Sequence, residues 1–571
     1  MMPEATPFAA ALRGGLLLVL ALAAACSTTR TPGSQEVPAT AAPSGESEAL
    51  QAAQNALRAG DCRAAAENYL AAAKFSSDAQ VARRASQLAL GCNQLTTARA
   101  ATARWRELDP FSGDAALAAA IVAMKRYDME EAREALSAWN DTGEAGTQDP
   151  LSFAQALQEE ADATLVYRLF QEVLLGEDPA AEVLLAQARL AMAAYNMEAA
   201  LEAAGRALEI VPDFLEARIV MLRAMSVLGR HDEALAGARE LPLDRLQGED
   251  AFLLADLLLG AGRTSDAEIE LERLAGRPDI ASGAQRRLIT LALRFGRLEE
   301  VEQRLQALVG DRNNTALAVY YFAQLAERRG ETARAIQSYQ LLADSAMGLS
   351  ARTSAAKLLM QQGATAEALE LLDDYAEQNF DEALEAGLAR AHLQVDAGDL
   401  KGALATLDEL ARRYPDHPDI DYTRATVLES AGRTRQAVAE FERALKLRPE
   451  DPQLLNALGY TLADHKMRLK DAEALVRRAL AVSPDNPAIQ DSLGWVLYRR
   501  GHQEPAIQML ERAWNNSHDA EIGSHFAEVL WMAGEESQAR YVWEQALTAA
   551  PGHEGLRQTI RRLTGEDVGG G

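Results

Sequence analysis

Glycines recur along this chain at an interval that few folds tolerate. Gly229, Gly262, Gly296, Gly330, Gly363, Gly398 and Gly432 follow one another at steps of 33 to 35 residues, and Gly501 and Gly534 continue the series after one doubled step of 69. Within the doubled step Lys466, in the loop DHKMRLKD, stands where the missing glycine would fall. Five residues after most of these glycines comes a small residue: Ala234, Ala267, Ala335, Ala368, Ala403, Ala437, Ala506 and Ala539. Seven further on another often follows, as at Ala444, Ala513 and Ala546, and then a proline: Pro415, Pro449, Pro484 or Pro551. The pattern has a physical reading. Glycine ends a first helix, because positive φ is cheap for it. Alanines on a second helix let the two backbones approach. Proline then stops the second helix. A hairpin of this size cannot bury its apolar face alone, so neighbours must stack into a solenoid.

The segments RTRQAVAEFERALKLRPED at 433–451 and EPAIQMLERAW at 504–514 resemble the tetratricopeptide repeat (TPR) family. That resemblance implies an all-α solenoid of helical hairpins wound as a right-handed superhelix. About eleven units are expected over 181–552. A divergent N-terminal part, 48–180, is expected to hold hairpins near 48–77, 79–111 and 113–140, with a degenerate hairpin or single long helices over 150–176. HEGLRQTIRRL at 553–563 reads as a capping helix with a basic outer face, and the glycines after it as a disordered tail.

Composition agrees with closely packed helices. Hydrophobic residues make up 48% of the 571 while aromatics make up only 5%, a mix poor in sheet formers. The formal charge of −27 repels phosphate backbones, which argues against nucleic acid as a partner. Its distribution is uneven. Residues 433–564 carry a net −1, whereas residues 1–432 carry −24. A solvated acidic face is the reading for the latter.

The N-terminus follows a different logic. From Gly14 to Ala25 the chain is uncharged and mostly Leu, Ala and Val, with Arg13 before it and Cys26 after it. Twelve apolar residues are too few for a bilayer span, which needs about 20, but they suit the apolar core of a secretory signal. ALAAACSTTR at 21–30 resembles the lipobox of bacterial lipoproteins, with Ala23 where those sequences usually carry Leu. The resemblance implies cleavage before Cys26, a diacylglycerol on its thiol, and, with Ser27 next, sorting to the outer membrane, facing the periplasm. Residues 27–47 have the Ser, Thr, Pro and Gly content of a linker. As a flexible coil such a linker spans on the order of 25 Å. Two further cysteines, Cys62 and Cys92, make an even pair in an exported protein. In a stack of the TPR kind, helix B of one unit packs on helix A of the next. That places Cys62 and Cys92 side by side, as a disulfide or as two buried thiols.

Catalytic signatures are nearly missing. None of the eight histidines forms HExxH, and CxxC, GxxxxGK[ST] and GxSxG do not occur. His518 and His525 lie seven apart with no third ligand, so neither a metal nor another cofactor is expected. SAAK at Ser354–Lys357 has Ser-x-x-Lys spacing, but it falls in a repeat helix with no companion catalytic domain. The chain reads as a binding protein, not an enzyme. Carrying the family register of the concave face onto the last four units selects Tyr422, Asn456, Tyr460, Asp491, Trp495, Tyr498 and Trp531. Aromatic groups with a polar tip suit a binding surface; they equally suit packing between repeats.

A narrower resemblance covers about the last 110 residues. NALGYTLADHKMRLKDAEALVRRALAVSPDNPAIQDSLGWVLYRRG at 456–501, HFAEVLWMAGEESQARYVWEQAL at 525–547 and LRQTIRRLTG at 556–565 look like the lipoprotein partners of periplasmic carboxyl-terminal processing proteases such as CtpA. That resemblance implies an outer-membrane adaptor that brings protein substrates, including peptidoglycan cross-link hydrolases, to a serine protease. A scaffold in an envelope assembly machine, for outer-membrane protein insertion, pilus or exopolysaccharide export, is the alternative.

Overall fold

The structure is a computed structural model, and it describes residues 44–142, 149–308, 315–343, 345–380, 382–415, 417–550 and 552–566. Cys26 with its signal segment, most of the 27–47 linker, Pro551 and the glycine tail lie outside the described residues. Among the described residues all regular secondary structure is helical. Three hairpins come first: Glu46–Ala59 with Cys62–Phe75, Ala79–Gly91 with Leu95–Leu108, and Gly113–Lys125 with Met129–Asp141. Pro150–Glu160 and the short Ala163–Leu169 follow, the latter running into a π-helical turn at Phe170–Leu174. Stacking of Trp139 on Phe153, with centroids 4.3 Å apart, joins this irregular stretch to the hairpin before it. From Ala181 to Ala549 short helices follow one another, interrupted by 3₁₀ turns at Leu243–Arg245 and Gly248–Phe252, and Glu554–Thr564 ends the series.

The periodic residues do what their chemistry dictates. Gly229, Gly262, Gly296, Gly330, Gly363, Gly398, Gly432, Gly501 and Gly534 all have positive φ, between 67° and 88°. Lys466, at the gap in the glycine series, takes the same left-handed conformation with φ 54°, which costs a side-chain-bearing residue about 1–2 kcal/mol. The alanines on the second helices are fully buried, Ala234, Ala335, Ala437, Ala506 and Ala539 among them. There a larger side chain would hold the helices apart. The following helix starts are capped. Asp451, Asn486 and Asp519 each accept an N–H from the first turn, and Pro452 and Pro487 sit just inside it, where no N–H is needed.

The chain forms two compact units. The first gathers the described residues up to Ala186 with Ala376–Gln394 and Asp399–Thr423. In it a disulfide joins Cys62, the first residue of its helix, to Cys92, just past the end of the next, with Cα atoms 5.8 Å apart. The turns that carry these cysteines also meet a distant segment. Arg63 Nη1 donates to the Arg412 carbonyl at 2.8 Å, Gln94 Nε2 donates to the Arg413 carbonyl at 2.9 Å, and Gly60 lies against the Phe380 ring. The second unit gathers Gln187–Tyr375, Val395–Gly398 and the residues from Arg424 onward. It holds a comparable contact. Buried Asp485 accepts the Met197 N–H at 2.8 Å and donates its own N–H to the Tyr195 carbonyl, also at 2.8 Å.

Candidate functional site

Near its C-terminal end the second unit has an open cleft of about 450 Å³. Its walls come from three helices: Pro487–Arg499 with Trp495 and Arg499, Ala520–Met532 with Glu521, Ser524, His525 and Glu528, and Glu554–Thr564 with Gly555, Thr559 and Arg562. Asp464 and His553 complete the lining. The helices stand where the repeat puts them, and small residues set their approach. A Cβ on Gly494 would fall 2.5 Å from Leu510 Cγ, so only glycine lets Pro487–Arg499 lie this close to its partner helix.

His525 organises the wall. Its ring stacks on Trp495 with centroids 4.4 Å apart, and its Nδ1 lies 2.9 Å from the Asp491 carboxylate. Its Nε2 faces the Tyr460 hydroxyl at 3.5 Å. Burial alone would lower the pKa of this ring, but Asp491 beside it, then Glu521 and Glu528, outweigh burial and raise it. The Tyr460 hydroxyl is pushed up by burial and by the negative charges of Glu521, Asp464, Asp491 and Glu429. Glu429, donated to by the Thr461 hydroxyl at 2.8 Å, is also pushed up, first by burial and further by Asp464 and Glu521.

The charges in the wall are mostly matched. Arg499 packs over the Trp495 ring at 4.8 Å, donates to the Ala463 and Asp464 carbonyls, and meets the Asp464 carboxylate at 3.4 Å. The Trp495 indole N–H donates to the same carboxylate at 3.2 Å. Arg562 pairs with buried Glu528 at 2.5 Å. Glu521 differs: its exposed carboxylate has a neutral neighbour, the Tyr460 hydroxyl at 3.4 Å.

The residues selected from the family register separate. Tyr460, Asp491 and Trp495 converge on His525, and Tyr498 adjoins Trp495 with ring centroids 5.4 Å apart. Trp495 and Asp491 were expected on a partner-facing surface. They are 4% and 5% exposed, held between neighbouring repeats. Trp531 packs on Trp543 with Arg540 over its ring, apart from the cavity lining. Asn456 is half-buried, its Oδ1 without a hydrogen-bond partner. Tyr422 belongs to the first unit. Sequence reasoning weighed His525 only as a metal ligand and passed over Glu521, Glu528 and Arg562. A signal existed, since Asp491 and His525 lie 34 residues apart, close to one repeat period, which brings the first helices of consecutive units side by side. Ser354 shows no activated geometry; its hydroxyl donates to the Ser350 carbonyl one turn earlier.

Three overlapping stretches, residues 353–418, 388–451 and 422–487, match the tetratricopeptide repeat family. Residues 353–487 therefore carry the tetratricopeptide repeat pattern. The TPR repeat-containing protein PA4667 of Pseudomonas aeruginosa is 29% identical over 251 residues, which are 44% of this chain and 42% of that protein. The likeness thus spans less than half of either. Among solved structures, yeast Tom70 aligns over 91% of this chain and 95% of its own at 12% identity, with a TM-score of 0.37. A tetratricopeptide repeat protein from Parabacteroides merdae aligns over 44% of this chain and all of its own at 14% identity, with a TM-score of 0.32. Scores this low carry nothing further.

Proposed function

We propose that this repeat protein is an outer-membrane-tethered adaptor. It holds a periplasmic carboxyl-terminal processing protease together with protein substrates such as peptidoglycan cross-link hydrolases. The observation that carries the reading is the resemblance over residues 456–565 to the lipoprotein partners of such proteases. The lipobox-like ALAAACSTTR and the 29% identity to a TPR protein of Pseudomonas support it. Physically, a tether and a scaffold act on concentration. Holding enzyme and substrate on one chain makes their encounter effectively intramolecular. The adaptor needs no reacting group of its own.

The test mixes the full-length protein, in detergent, with the processing protease and a murein hydrolase. Degradation should accelerate when the protein is added. Unchanged degradation, with no protease captured on the immobilised protein, overturns the reading.

A further inference from the structure

The cavity described above has a chemistry of its own. Its two arginines are committed, Arg499 to Asp464 and Arg562 to Glu528. An anion entering would have to break one of these pairs and then sit beside Glu521. A cation meets the opposite situation. Glu521 offers an exposed carboxylate that accepts from the uncharged Tyr460 hydroxyl at 3.4 Å, while the nearby His525 ring is already held by Asp491. Behind it stand Asp491, Asp464, Glu528 and Glu429. His525 is raised against its own burial by Asp491, then Glu521 and Glu528. The open cleft, about 450 Å³, lies within the range of about 300–1,000 Å³ typical of ligand clefts.

We propose that this cavity receives a lysine or arginine side chain from a bound protein segment, with Glu521 as its counter-ion. The proposal rests on the reading of the protein as a protein-binding scaffold, and it names which chemistry the C-terminal repeats select. Because Asp464 and Glu528 are already neutralised by arginine, the specificity falls on one carboxylate. The pairing is partly exposed, so it selects and orients a segment rather than supplying most of the affinity.

The experiment uses the full-length protein in detergent and three fluorescent twelve-residue peptides, acetylated and amidated at their ends. They share a Gly/Ser frame and differ only at the centre, which is Lys-Arg, Gln-Gln or Glu-Glu. Anisotropy at low ionic strength should show the basic peptide binding and the other two failing. Glu521→Gln should weaken the basic peptide about fivefold, and Glu521→Arg should abolish its binding. A Glu367→Gln/Glu370→Gln variant, altering exposed carboxylates on another helix of the same unit, should bind as the unaltered protein does. Placing a photo-crosslinker beside the central Lys-Arg should label Ala520–Met532 or Glu554–Thr564.

Equal binding of all three peptides overturns the proposal. So do unaltered affinity in both Glu521 variants, equal weakening in the Glu367/Glu370 control, and labels confined to other helices. Circular dichroism on each variant establishes that it is folded, and Glu521 is exposed, so loss of fold is not expected. Protease capture is read separately on the same unaltered protein. Capture with no preference among the peptides removes only the cavity proposal, whereas peptide selection without capture removes only the protease reading.

Discussion

His525 shows how far one side chain can be moved by its surroundings. Its ring is buried, which alone would keep it neutral, yet Asp491 at 2.9 Å and the nearby Glu521 and Glu528 raise its pKa above the ordinary 6.5. A raised folded-state pKa means that the protonated ring stabilises the fold. That contribution is full below 6.5 and is lost as pH rises through the folded-state value. Replacing Asp491 with Asn removes the nearest source of the shift. The melting temperature of Asp491→Asn should fall furthest below that of the unaltered protein at mildly acidic pH, and the gap should narrow as pH rises; a gap independent of pH contradicts this. Gly494 shows the opposite kind of constraint. Alanine normally favours a helix over glycine by about 1 kcal/mol. Here its Cβ would stand 2.5 Å from Leu510 Cγ and 3.3 Å from the Ala506 carbonyl oxygen. Overpacking of this kind costs about 1–3 kcal/mol. Gly494→Ala should therefore lower the urea midpoint of the second unit, against its helix propensity.

At the scale of elements, the first unit depends on two turns acting together. Cys62 and Cys92 tie the start of one helix to the end of the next, and the residues beside them, Arg63 and Gln94, donate to the carbonyls of Arg412 and Arg413 at the end of the Leu400–Arg413 helix. The last carbonyls of a helix lack intrahelical partners, so side-chain donors there satisfy groups that would otherwise need water. The disulfide spaces the two donors. Closing a loop of 30 residues contributes about 3–4 kcal/mol in the chain-entropy description. A Cys62→Ser/Cys92→Ser variant should lose stability of that order. Hydrogen exchange should also speed up in the peptides that contain residues 60–63 and 92–96, where the tie is lost. Unchanged exchange in these peptides would mean that the two turns hold their spacing without the bond.

At the scale of the whole molecule, the proposed tether gives its own prediction. If Cys26 carries lipid, Cys26→Ala should move the protein from the outer-membrane fraction to a soluble one, because the several acyl chains of a mature lipoprotein hold firmly where one would bind marginally. Continued fractionation with the membrane would remove the tether. The fold was legible from the sequence because a repeat writes its geometry locally. Each positive-φ glycine, each alanine between two helices and each capping Asp or Asn acts on neighbours within one hairpin, and the 34-residue spacing says that hairpins stack. The candidate site was legible only in part. Tyr460, Asp491 and Trp495 were chosen by register, and the structure brings all three to His525. Register also marks a helix face without saying whether that face meets a partner or the next repeat. Trp495 and Asp491 meet the next repeat, where a ring stack and a charged hydrogen bond offset the loss of water. Contacts such as Arg63 with Arg412, or Met197 with Asp485, join residues 349 and 288 apart. They join segments far apart in the chain, and no single segment encodes such a meeting. The sequence by itself thus determined the hairpins, their period and their helix ends, through local chemistry repeated along the chain. The tertiary structure alone decided which charges in the cavity are spent and which, at Glu521, is left, because charge matching depends on distances between side chains in different repeats.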